Sequence, residues 1–343
     1  MNRKVAVIIL NWNSWSDTIE CLESVLLMNY QDYVTIIVDN GSSDESIENL
    51  KEFVRGKRIV ESKFFEPSRS SPEITITEYA RDQINRGDVI GNSILADKDT
   101  NEREALVLIR NERNYGFAEG NNIGIRFALD VVKPDYILLL NSDTVVDPDF
   151  LLELVRIGDS DERVGVLGPK VSYYHDPSKI NSVGCEMRYW SGFAINVGIG
   201  EMDNGQFSDV REVDCVQGCA FLIKASAFHD IGLLDPDFFV LLEETEWCLR
   251  ARKAGYKILF VPTAQIYHKE NFSASRQCKY YYYRNCNRIL LLKKHQTSFR
   301  KAIYGLSITL RILAGSIILS IEEAPNLAIC GLNGYFSGLR IKK

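Results

Sequence analysis

The feature that most constrains the fold is the apolar run YILLL at 136–140, which stops abruptly at Asn141-Ser142-Asp143. A short apolar run that ends in a polar turn is typical of a buried strand in an α/β sheet. Ligands of such sheets bind at the carboxyl ends of the strands. A carboxylate at that position can hold a hard divalent cation and, through it, a diphosphate. The same three residues would also suit an ordinary turn. Other motifs of the chain are therefore needed to choose between a ligand site and a turn.

Strand and helix patterns alternate along the N-terminal part of the chain. Val5–Leu10 and Val34–Val38 are apolar runs of strand length, and Asp17–Met28 between them carries apolar residues at helical spacing. A second capped helix is expected to end at Val54. This βαβα beginning predicts a doubly wound α/β domain.

The alternation breaks at residues 55–104 and resumes afterwards. This segment is polar, contains Pro67 and Pro72, and offers only a short helix at Thr77–Asn85, so we expect an insertion outside the core. Further strands are expected at Leu106–Arg110, Val164–Gly168 and Lys257–Val261, a helix at Glu243–Ala254, and irregular strands and turns over 171–213.

The charge of the chain is unevenly distributed. Residues 269–343 contain 13 Lys and Arg against 3 Glu and no Asp, a net charge of +10, whereas the whole chain carries −6. A basic tail on an acidic body indicates contact with a polyanion, either an anionic membrane surface or a phosphorylated substrate. A solvated basic face is the alternative. The negative overall charge argues against a nucleic-acid-binding protein.

The tail also contains an apolar segment, Ile303–Ile321, in which Arg311 is the only charged residue. As a helix it would be about 28 Å long, close to the hydrocarbon thickness of a bilayer. A central arginine makes a true membrane span costly. The segment therefore either lies in a membrane interface, packs as a helix of a soluble protein, or spans the bilayer; the first is our expectation.

The eight cysteines are scattered singly, without a CxxC pair, and several have apolar neighbours. We expect most of them to be reduced core residues, not metal ligands or disulfide partners. The N-terminal sequence indicates a first strand and not a signal peptide, which predicts a cytoplasmic catalytic body.

Polar residues follow two neighbouring strands near the N-terminus. Asn11 and Asn13 follow the first strand, and Asp39 and Asn40 follow the second. Amide and carboxylate groups at adjacent strand ends suit recognition of a nucleotide base and ribose. Capping turns prefer the same residue types, so both interpretations stay open.

A second polar group, residues 113–122, precedes a predicted helix. Its glycines, Gly116 and Gly120, allow the backbone to approach a ligand closely. The candidate ligand-binding side chains of this group are Arg113, Asn114 and Asn121.

Three glutamates, Glu243, Glu244 and Glu246, begin another predicted helix. Acidic residues in a first helical turn are favoured by the helix dipole alone. The apolar stretch 238–242 before them would leave the first two poorly solvated, which makes a carboxylate a better base. His268, one of four histidines, follows the last predicted strand. Trp190 and Trp247 are either platforms for a sugar ring or core aromatics.

Taken in order, these motifs resemble those of the family 2 inverting glycosyltransferases, and most of all the rhamnosyltransferase-like branch. The resemblance extends from Val5 to His268, with a weaker similarity at Tyr281–Arg288. The motifs are NWN at 11–13, VDNGSSD at 38–44, NYGFAEGNN at 114–122, LLLNSDT at 138–144, GLLDPDFFVLLEETEWCLR at 232–250, and the late histidine.

The resemblance implies a GT-A fold, that is, an α/β fold with a mixed sheet flanked by helices. This catalytic domain would comprise residues 1–268, with 55–104 as an insertion. Residues 269–343 would form a basic, partly amphipathic helical segment that contacts a membrane. The expected ligand is a nucleotide-diphosphate sugar. The residues predicted to bind it are Asn11, Asn13, Asp39, Asn40, Arg113, Asn114, Gly116, Asn121 and Ser142.

The resemblance also implies Mn²⁺ or Mg²⁺ held by a DxD-type motif. Here that motif is Asn141-Ser142-Asp143, which keeps only the final carboxylate. Asp143 is therefore the expected direct metal ligand and His268 the second. The catalytic base is carried over to Glu244, with Glu243 or Glu246 as alternatives.

The activity implied is metal-dependent, inverting transfer of rhamnose or another hexose to a glycan or lipid-linked acceptor at the inner face of the cell membrane. A non-catalytic glycan-binding or scaffold relative and a nucleotidyltransferase that makes sugar nucleotides are the alternatives. The chain lacks the Gly-rich basic loop expected of a nucleotidyltransferase, the QxxRW motif of a processive synthase, and the GxGxxG of a Rossmann oxidoreductase.

Overall fold

The computed structural model of the chain describes residues 3–66, 74–86, 105–270, 274–322 and 324–341. Most of its strands join one mixed sheet, and β9 and β10 form a separate hairpin. The strands are β1 (Val5–Asn11), β2 (Tyr33–Asp39), β3 (Thr75–Ala80), β4 (Ala105–Arg110), β5 (Tyr136–Asn141), β6 (Thr144–Val146), β7 (Val164–Tyr173), β8 (Ile180–Ser182), β9 (Cys185–Arg188), β10 (Phe193–Asn196), β11 (Arg211–Glu212), β12 (Ala220–Lys224) and β13 (Lys257–His268).

Helices connect these strands and follow the sheet at the C-terminal end. They are α1 (Trp15–Leu26), α2 (Ser46–Val54), α3 (Arg81–Arg86), α4 (Gly116–Phe127), α5 (Phe150–Gly158), α6 (Ala225–Ile231), α7 (Glu243–Lys253), α8 (Ala274–His295), α9 (Ser298–Ile321) and α10 (Pro325–Arg340), with a π-helical turn at Ala128–Val132 after α4.

The centre of the sheet is parallel, and its strands end at the same level. The order is β11-β13-β7-β12-β5-β1-β2-β4-β3, and β12 runs antiparallel to both of its neighbours. Asn11 lies opposite Asp39, and Leu10 lies opposite Asn141. The polar residues that end β1, β2 and β5 therefore meet at one edge of the sheet, as their positions in the sequence predicted.

Helices cover both faces of the sheet, which explains why the central strands are apolar on both sides. On one face, Leu22 of α1 and Phe150 of α5 pack with Leu138. On the other, Phe127 of α4 and Trp247 of α7 pack with the opposite side chains of the same strands. Trp247 is fully buried and donates its indole N–H to the Gly232 carbonyl, so it is a core aromatic and not a sugar platform.

Two sequence expectations about elements were wrong in part. The segment expected to be a non-core insertion contributes β3, which pairs in parallel with β4 and buries Tyr79. The short helix begins only at Arg81. Residues 67–73 and 87–104 of that segment lie outside the described residues. The last strand is also longer than expected, because β13 continues past Pro262 with a register shift and reaches His268.

Helices α8, α9 and α10 form the C-terminal unit. Cys278 of α8 and Cys330 of α10 are joined by a disulfide with Cα atoms 5.6 Å apart. The expectation of reduced cysteines is wrong for this pair, because close packing of the two helices brings together residues 52 positions apart. The six other cysteines are free and buried, as expected.

Candidate active site

A cavity of 460 Å³ opens at the carboxyl edge of the sheet. Of the predicted site residues, five line it: Asn40, Asn114, Gly116, Ser142 and Asp143. Its walls come from the ends of β1 and β5, the start of α4, the loop before α7, and α8. The residues around it are Leu10, Trp12, Ser14, Asn40, Asn114, Gly116, Phe117, Asn141, Ser142, Asp143, Phe239, Val240, Leu241, Lys279, Tyr280 and Tyr283.

Asn40 ties the β2 end to the start of α4. Its side-chain amide donates to Asn114 Oδ1 and to the Gly116 carbonyl, at 3.1 and 3.0 Å. Its carbonyl oxygen accepts from the Asn111 side chain and from the Tyr115 backbone, both at 3.1 Å. All four bonds are internal, so Asn40 shapes the cavity wall through its position.

Asn11 and Asp39 lie under the β1–β2 edge, away from the cavity surface. Both are buried, and the Asn11 amide donates to Asp39 Oδ1 at 2.8 Å. The other Asp39 oxygen accepts from the Ser42 backbone, and Asn13 Oδ1 accepts from the Ser43 backbone. These contacts define the turns, and the predicted role of these side chains in nucleotide binding stays a prediction.

Gly116 joins α4 to the loop that precedes α7. Its φ of +83° is in the left-handed region, and a Cβ at this position would overlap the Phe239 carbonyl. The next residue, Phe117, donates its backbone N–H to the same carbonyl at 2.6 Å. Glycine is therefore required for the two loops to close on each other at the cavity.

Arg113 and Asn121, the other candidate residues of this motif, are not among the residues that line the cavity. The Arg113 guanidinium lies over the Tyr115 ring, 4.8 Å from its centroid. Asn121 is buried within α4 and donates to the Phe117 carbonyl. The predicted contacts of Arg113 and Asn121 with a donor stay a prediction.

Asp143 and His268 lie side by side, because β6 after the Asp143 turn pairs with the end of β13. Their Oδ1 and Nε2 atoms are 3.3 Å apart. Burial alone would lower the pKa of His268, but the Asp143 carboxylate outweighs it and raises the pKa. Asn141 Oδ1 nearby is buried and has no hydrogen-bond partner within the described part of the chain.

The Asp143 carboxylate and the His268 imidazole fit a divalent cation that also binds a ligand. A carboxylate oxygen and an imidazole nitrogen suit Mn²⁺ well and Mg²⁺ through the carboxylate. Among the described residues, no group of three or more His, Cys, Asp or Glu side chains could hold a metal ion. The other ligands would be phosphate oxygens and water, as is usual where Mg²⁺ binds nucleotides. Asp143 borders the cavity, which leaves room for them.

Glu243 and Glu244 begin α7 in a weakly solvated environment. Burial raises the pKa of both carboxyl groups, and the pKa of Glu243 more strongly, because the Glu244 charge adds to the effect. Glu244 accepts a hydrogen bond from the Thr245 hydroxyl at 3.0 Å. Interaction between the two side chains raises the pKa of Glu243 and lowers that of Glu244.

Glu246 is engaged elsewhere. Arg250 Nε lies 3.0 and 2.9 Å from its two oxygens, and His295 Nε2 lies 2.9 Å from Oε1. Burial alone would raise the pKa of Glu246, but the hydrogen bonds from His295 and Arg250 lower it. Both oxygens have structural partners, which favours Glu244 over Glu246 as the base.

The segment before β12 lies next to both acidic groups of the site, the turn that contains Asp143 and the start of α7 with Glu244. The Cys219 carbonyl accepts the Asn141 backbone N–H at 2.9 Å. At Gly218, the preceding residue, a Cβ would lie 3.3 Å from Glu244 Cγ. Glu244 and the strand end that precedes Asp143 thus lie next to adjacent residues of one segment.

The backbone before Glu243 is strained, which sequence reasoning did not reveal. Leu241 and Leu242 have φ values of 75° and 70°, a conformation that non-glycine residues rarely adopt. Asn287 of α8 holds this turn, because its side-chain amide donates to the Val240 and Leu241 carbonyls at 2.8 and 2.7 Å. The only signal in the sequence was the weak similarity at Tyr281–Arg288.

Helix α8 also contributes cavity residues that the sequence analysis missed. Tyr283 stacks on Phe239 with ring centroids 5.2 Å apart, and Lys279 Nζ lies 5.1 Å from the Trp12 ring centroid. No element pattern could have assigned α8 to the site, because its position depends on tertiary packing.

Comparison with known proteins gives consistent results. A model described as "Glycosyltransferase like family 2" matches residues 95–288, and one described as "Glycosyl transferase family 2" matches residues 6–65. A mannosyltransferase of Pyrobaculum calidifontis, solved with GDP-Man and Mn²⁺, aligns over all of this chain and 89% of its own. The TM-score is 0.56 at 12% identity, a likeness of fold alone.

Two curated relatives are similar in sequence. The low-salt glycan biosynthesis hexosyltransferase of Haloferax volcanii is 27% identical over 48% of this chain and 52% of its own length. The dTDP-rhamnosyl transferase of Shigella flexneri is 27% identical over 62% of this chain and 72% of its own. The chain thus spans about half the length of the first of these relatives.

Proposed function

The chain belongs to the family 2 glycosyltransferases, and from that premise we propose that it transfers a hexose, with rhamnose as first candidate, to a glycan or lipid-linked acceptor. The donor is a nucleoside-diphosphate sugar, and the anomeric configuration inverts. The names of the two relatives, a hexosyltransferase and a dTDP-rhamnosyl transferase, support this choice of sugar.

In this proposal the donor fills the 460 Å³ cavity, with its nucleoside towards Asn40 and Asn114 and its diphosphate beside Asp143. Asp143 and His268 would hold Mn²⁺ or Mg²⁺, which when bound would offset the negative charge that grows on the leaving diphosphate. Trp12 and Tyr283 line the cavity and would shield part of the bound donor from water.

Glu244 is the proposed catalytic base. Its carboxylate accepts the proton of an acceptor hydroxyl while that oxygen forms a bond to the anomeric carbon. The bond from the anomeric carbon to the diphosphate oxygen breaks, and its electron pair leaves with the nucleoside diphosphate. Because attack and departure occur on opposite faces, one displacement inverts the configuration.

The observation that supports this best is that Glu244 lies beside Gly218, next to the Cys219–Asn141 hydrogen bond. The Glu244 carboxyl group, whose pKa is raised, and the turn expected to bind the metal thus lie next to adjacent residues of one segment. A weakly solvated carboxylate near a diphosphate site is what a single displacement needs.

Release of nucleoside diphosphate from UDP-, GDP- and dTDP-sugars, with Mn²⁺ and with EDTA, tests this function. We expect one donor to be consumed, EDTA to stop its consumption, and Glu244→Gln to lower kcat by about 10²- to 10⁴-fold without weakening donor binding. Glu186→Gln removes an exposed carboxylate outside the site and should leave the rate unchanged.

Turnover that survives Glu244→Gln would remove this residue as the base. Binding of a nucleotide sugar without turnover under any condition would favour a non-catalytic glycan-binding relative. Formation of a sugar nucleotide from a sugar phosphate would identify a nucleotidyltransferase instead.

We further propose that α9 docks on an anionic membrane at its cytoplasmic face. Within the described residues, α9 is the one helix long and apolar enough to cross a bilayer. However, Ile308 and Ile312 are buried against α8 and α10, so one side of α9 is attached to the protein. Its other side exposes an apolar stripe, which suits a helix lying in the interface. The stripe consists of Phe299, Ile303, Leu306, Leu310, Leu313, Ile317 and Ile321.

Vesicle sedimentation tests the docking. Replacing Leu306 and Leu310 by Glu should reduce binding to vesicles that contain phosphatidylglycerol, because both side chains are exposed on the stripe. The matched control is Leu152→Glu, an exposed leucine of α5. Equal sedimentation of all three proteins would exclude docking through α9.

A further inference from the structure

Lys269 is a nearly buried lysine that follows His268 at the end of β13. Its side chain is 11% exposed, and its ammonium lies 2.5 Å from Asp17 Oδ1 and 2.6 Å from Glu20 Oε2, both on α1. The Glu20 side chain is 6% exposed. Charges with so little solvent around them are tolerated only when opposite charges pair with them. Lys269 therefore fastens the chain that leaves β13 to the first turns of α1.

The backbone of Lys269 contacts the turn that carries Asp143. Its N–H donates to the Asp143 carbonyl at 3.0 Å, and the peptide bond before it joins it to His268. One residue is therefore linked to both expected metal ligands, whose Oδ1 and Nε2 atoms lie 3.3 Å apart. Because α1 holds the side chain of the same residue, the position of this pair depends on α1 as well as on the strand order.

Tyr174 holds the same peptide group from the other side. It follows β7, and its backbone N–H donates to the His268 carbonyl at 2.9 Å. Its hydroxyl donates to Glu20 Oε1 at 2.8 Å, and its ring centroid lies 5.1 Å from Lys269 Nζ. Both polar atoms of the peptide between His268 and Lys269 are thus engaged, and the residues on either side of it both bind Glu20.

The network also reaches the cavity. Asp17 Oδ2 accepts a hydrogen bond from the Ser14 hydroxyl at 3.0 Å, and Ser14 lines the cavity. A path of contacts therefore leads from the cavity wall through Asp17 and Lys269 to Asp143. An ion pair that only stabilised the fold would not need the backbone bond to the Asp143 turn.

We propose that Lys269 is a positioning residue, which keeps Asp143 and His268 in the arrangement that binds the divalent cation. The proposal rests on the proposed function, because that function requires the cation. Residues that support metal ligands help to set the affinity of a site, and their replacement typically weakens metal binding by about 10- to 100-fold. Loss of the ammonium would leave the Asp17 and Glu20 carboxylates to repel each other and would release the backbone that Lys269 anchors.

Titration of the full chain with Mn²⁺ alone, followed by electron paramagnetic resonance of the free ion, measures this effect without turnover. We expect Lys269→Met to raise the Kd for Mn²⁺ by about tenfold or more. Asp17→Asn keeps the size of the side chain but removes one of the two charges that hold Lys269, so it should raise the Kd to a smaller extent. Asp143→Asn, which removes the ligand itself, gives the reference for loss of the site.

Lys170→Met is the matched control. Lys170 lies on β7, its side chain is 13% exposed, and its ammonium is 2.8 Å from Asp203 Oδ2. This variant also removes a lysine of low exposure from an ion pair, so it should lower the melting temperature as Lys269→Met does. It should leave the Kd for Mn²⁺ unchanged, which separates positioning of the ligands from general stability.

Equal Kd values for Mn²⁺ in the wild type, Lys269→Met and Asp17→Asn would overturn the proposal. An equal rise in Lys170→Met would do so too, as would a wild type that binds no Mn²⁺. If Lys269→Met does not fold, the comparison of the wild type with Asp17→Asn decides.

The proposal and the proposed function fail in different ways. Mn²⁺ binding that depends on Lys269, in a protein that consumes no nucleotide sugar, would keep the positioning role and remove the proposed function. Mn²⁺-dependent turnover, with a Kd for Mn²⁺ that Lys269→Met leaves unchanged, would do the reverse.

Discussion

Adjacent residues of the candidate site differ in chemistry because their surroundings differ. Glu243 is buried and one of its oxygens has no partner among the described residues, whereas Glu244 lies beside Gly218 and accepts a hydrogen bond from the Thr245 hydroxyl. Glu246, two positions later, is held by Arg250 and His295. Three carboxyl groups in one helical turn therefore have different surroundings: Glu243 is buried, Glu244 is the proposed base, and Glu246 is in a structural ion pair.

As the proposed base, Glu244 should set the acid side of the pH profile of kcat/KM through its pKa. Burial raises the pKa of this carboxyl group above 4.5, so kcat/KM should fall as the pH drops towards a midpoint above that value. The groups that face it are the Glu243 carboxyl, the Thr245 hydroxyl and the Cys215 and Cys248 thiols. The pKa values of both thiols are raised, so the thiols stay neutral over the acid limb.

Thr245→Val should move the acid limb of this profile to higher pH. The hydroxyl stabilises the ionised carboxylate, and its removal raises the pKa of Glu244 further. Thr35→Val, a change of a buried threonine in β2, is the control and should leave the limb in place. If the midpoint of the acid limb in Thr245→Val is unchanged or lies at lower pH, the ionisation of Glu244 does not cause this limb.

Asn287 is predicted to be a positioning residue. Asn287→Ala leaves two carbonyls of the strained turn without their donor, which should lower kcat at saturating donor at least tenfold. Asn285→Ala removes an amide that donates to the Gly331 carbonyl and serves as the control. It should lower the unfolding midpoint but spare kcat. Equal kcat values for both variants would show that Asn287 acts on stability alone.

Site residues at the ends of regular elements could be predicted from the sequence. Site residues that reach the cavity through packing of a distant helix could not. Asn141, Asp143 and Glu244 follow or begin regular elements, and the strand order places Asn141 beside the end of β1. Asn287 and Tyr283 reach the site from a helix far along the chain, and no local pattern encodes that packing. The same is true of the positive φ values at residues 241 and 242, which leucine gives no reason to expect.

At the scale of elements, glycines decide how closely α8 and α10 approach. A Cβ at Gly334 would overlap the Tyr282 carbonyl, whereas one at Gly315 of α9 would meet nothing within 4 Å. We expect Gly334→Ala to lower the free energy of unfolding by about 1–3 kcal/mol through overpacking. Gly315→Ala should instead raise it by about 0.5–1 kcal/mol, because alanine is the better helix former.

Urea denaturation followed by circular dichroism measures both glycine variants. If Gly334→Ala proved as stable as the wild type, the close contact of α8 and α10 would be wrong. Destabilisation by both substitutions would mean that α9 is packed on all sides, in conflict with its exposed stripe.

Elements with strong periodicity were predicted well, and weakly apolar ones were not. The buried parallel strands β1, β2, β4 and β5 are recognisable as apolar runs. The edge strand β3 is not, because Tyr79 is its one buried residue and the others are exposed or half-buried. The β13 extension was missed since Pro262 interrupts the run, and the register shift that accommodates it is a tertiary feature.

At the scale of the whole molecule, α8 links the two parts of the chain, because it lines the cavity and also packs with α9 and α10. The sequence indicated an acidic body with a basic, apolar tail, but it left open whether the tail spans a membrane, lies on it or packs in solution. The structure attaches one side of α9 to its neighbours and leaves the other apolar. The Cys278–Cys330 disulfide holds the same unit together, and single cysteines 52 residues apart gave no hint of it.

The central claim is that Asp143 and Glu244 serve one bound donor from two sides. A crystal structure of Glu244→Gln with Mn²⁺ and the nucleotide sugar that the wild type consumes tests it most directly. The account predicts Mn²⁺ bonded to Asp143 and to the diphosphate, with residue 244 facing the anomeric carbon on the side away from the diphosphate. A donor bound with residue 244 turned away from its sugar, or Mn²⁺ held without Asp143, would contradict it.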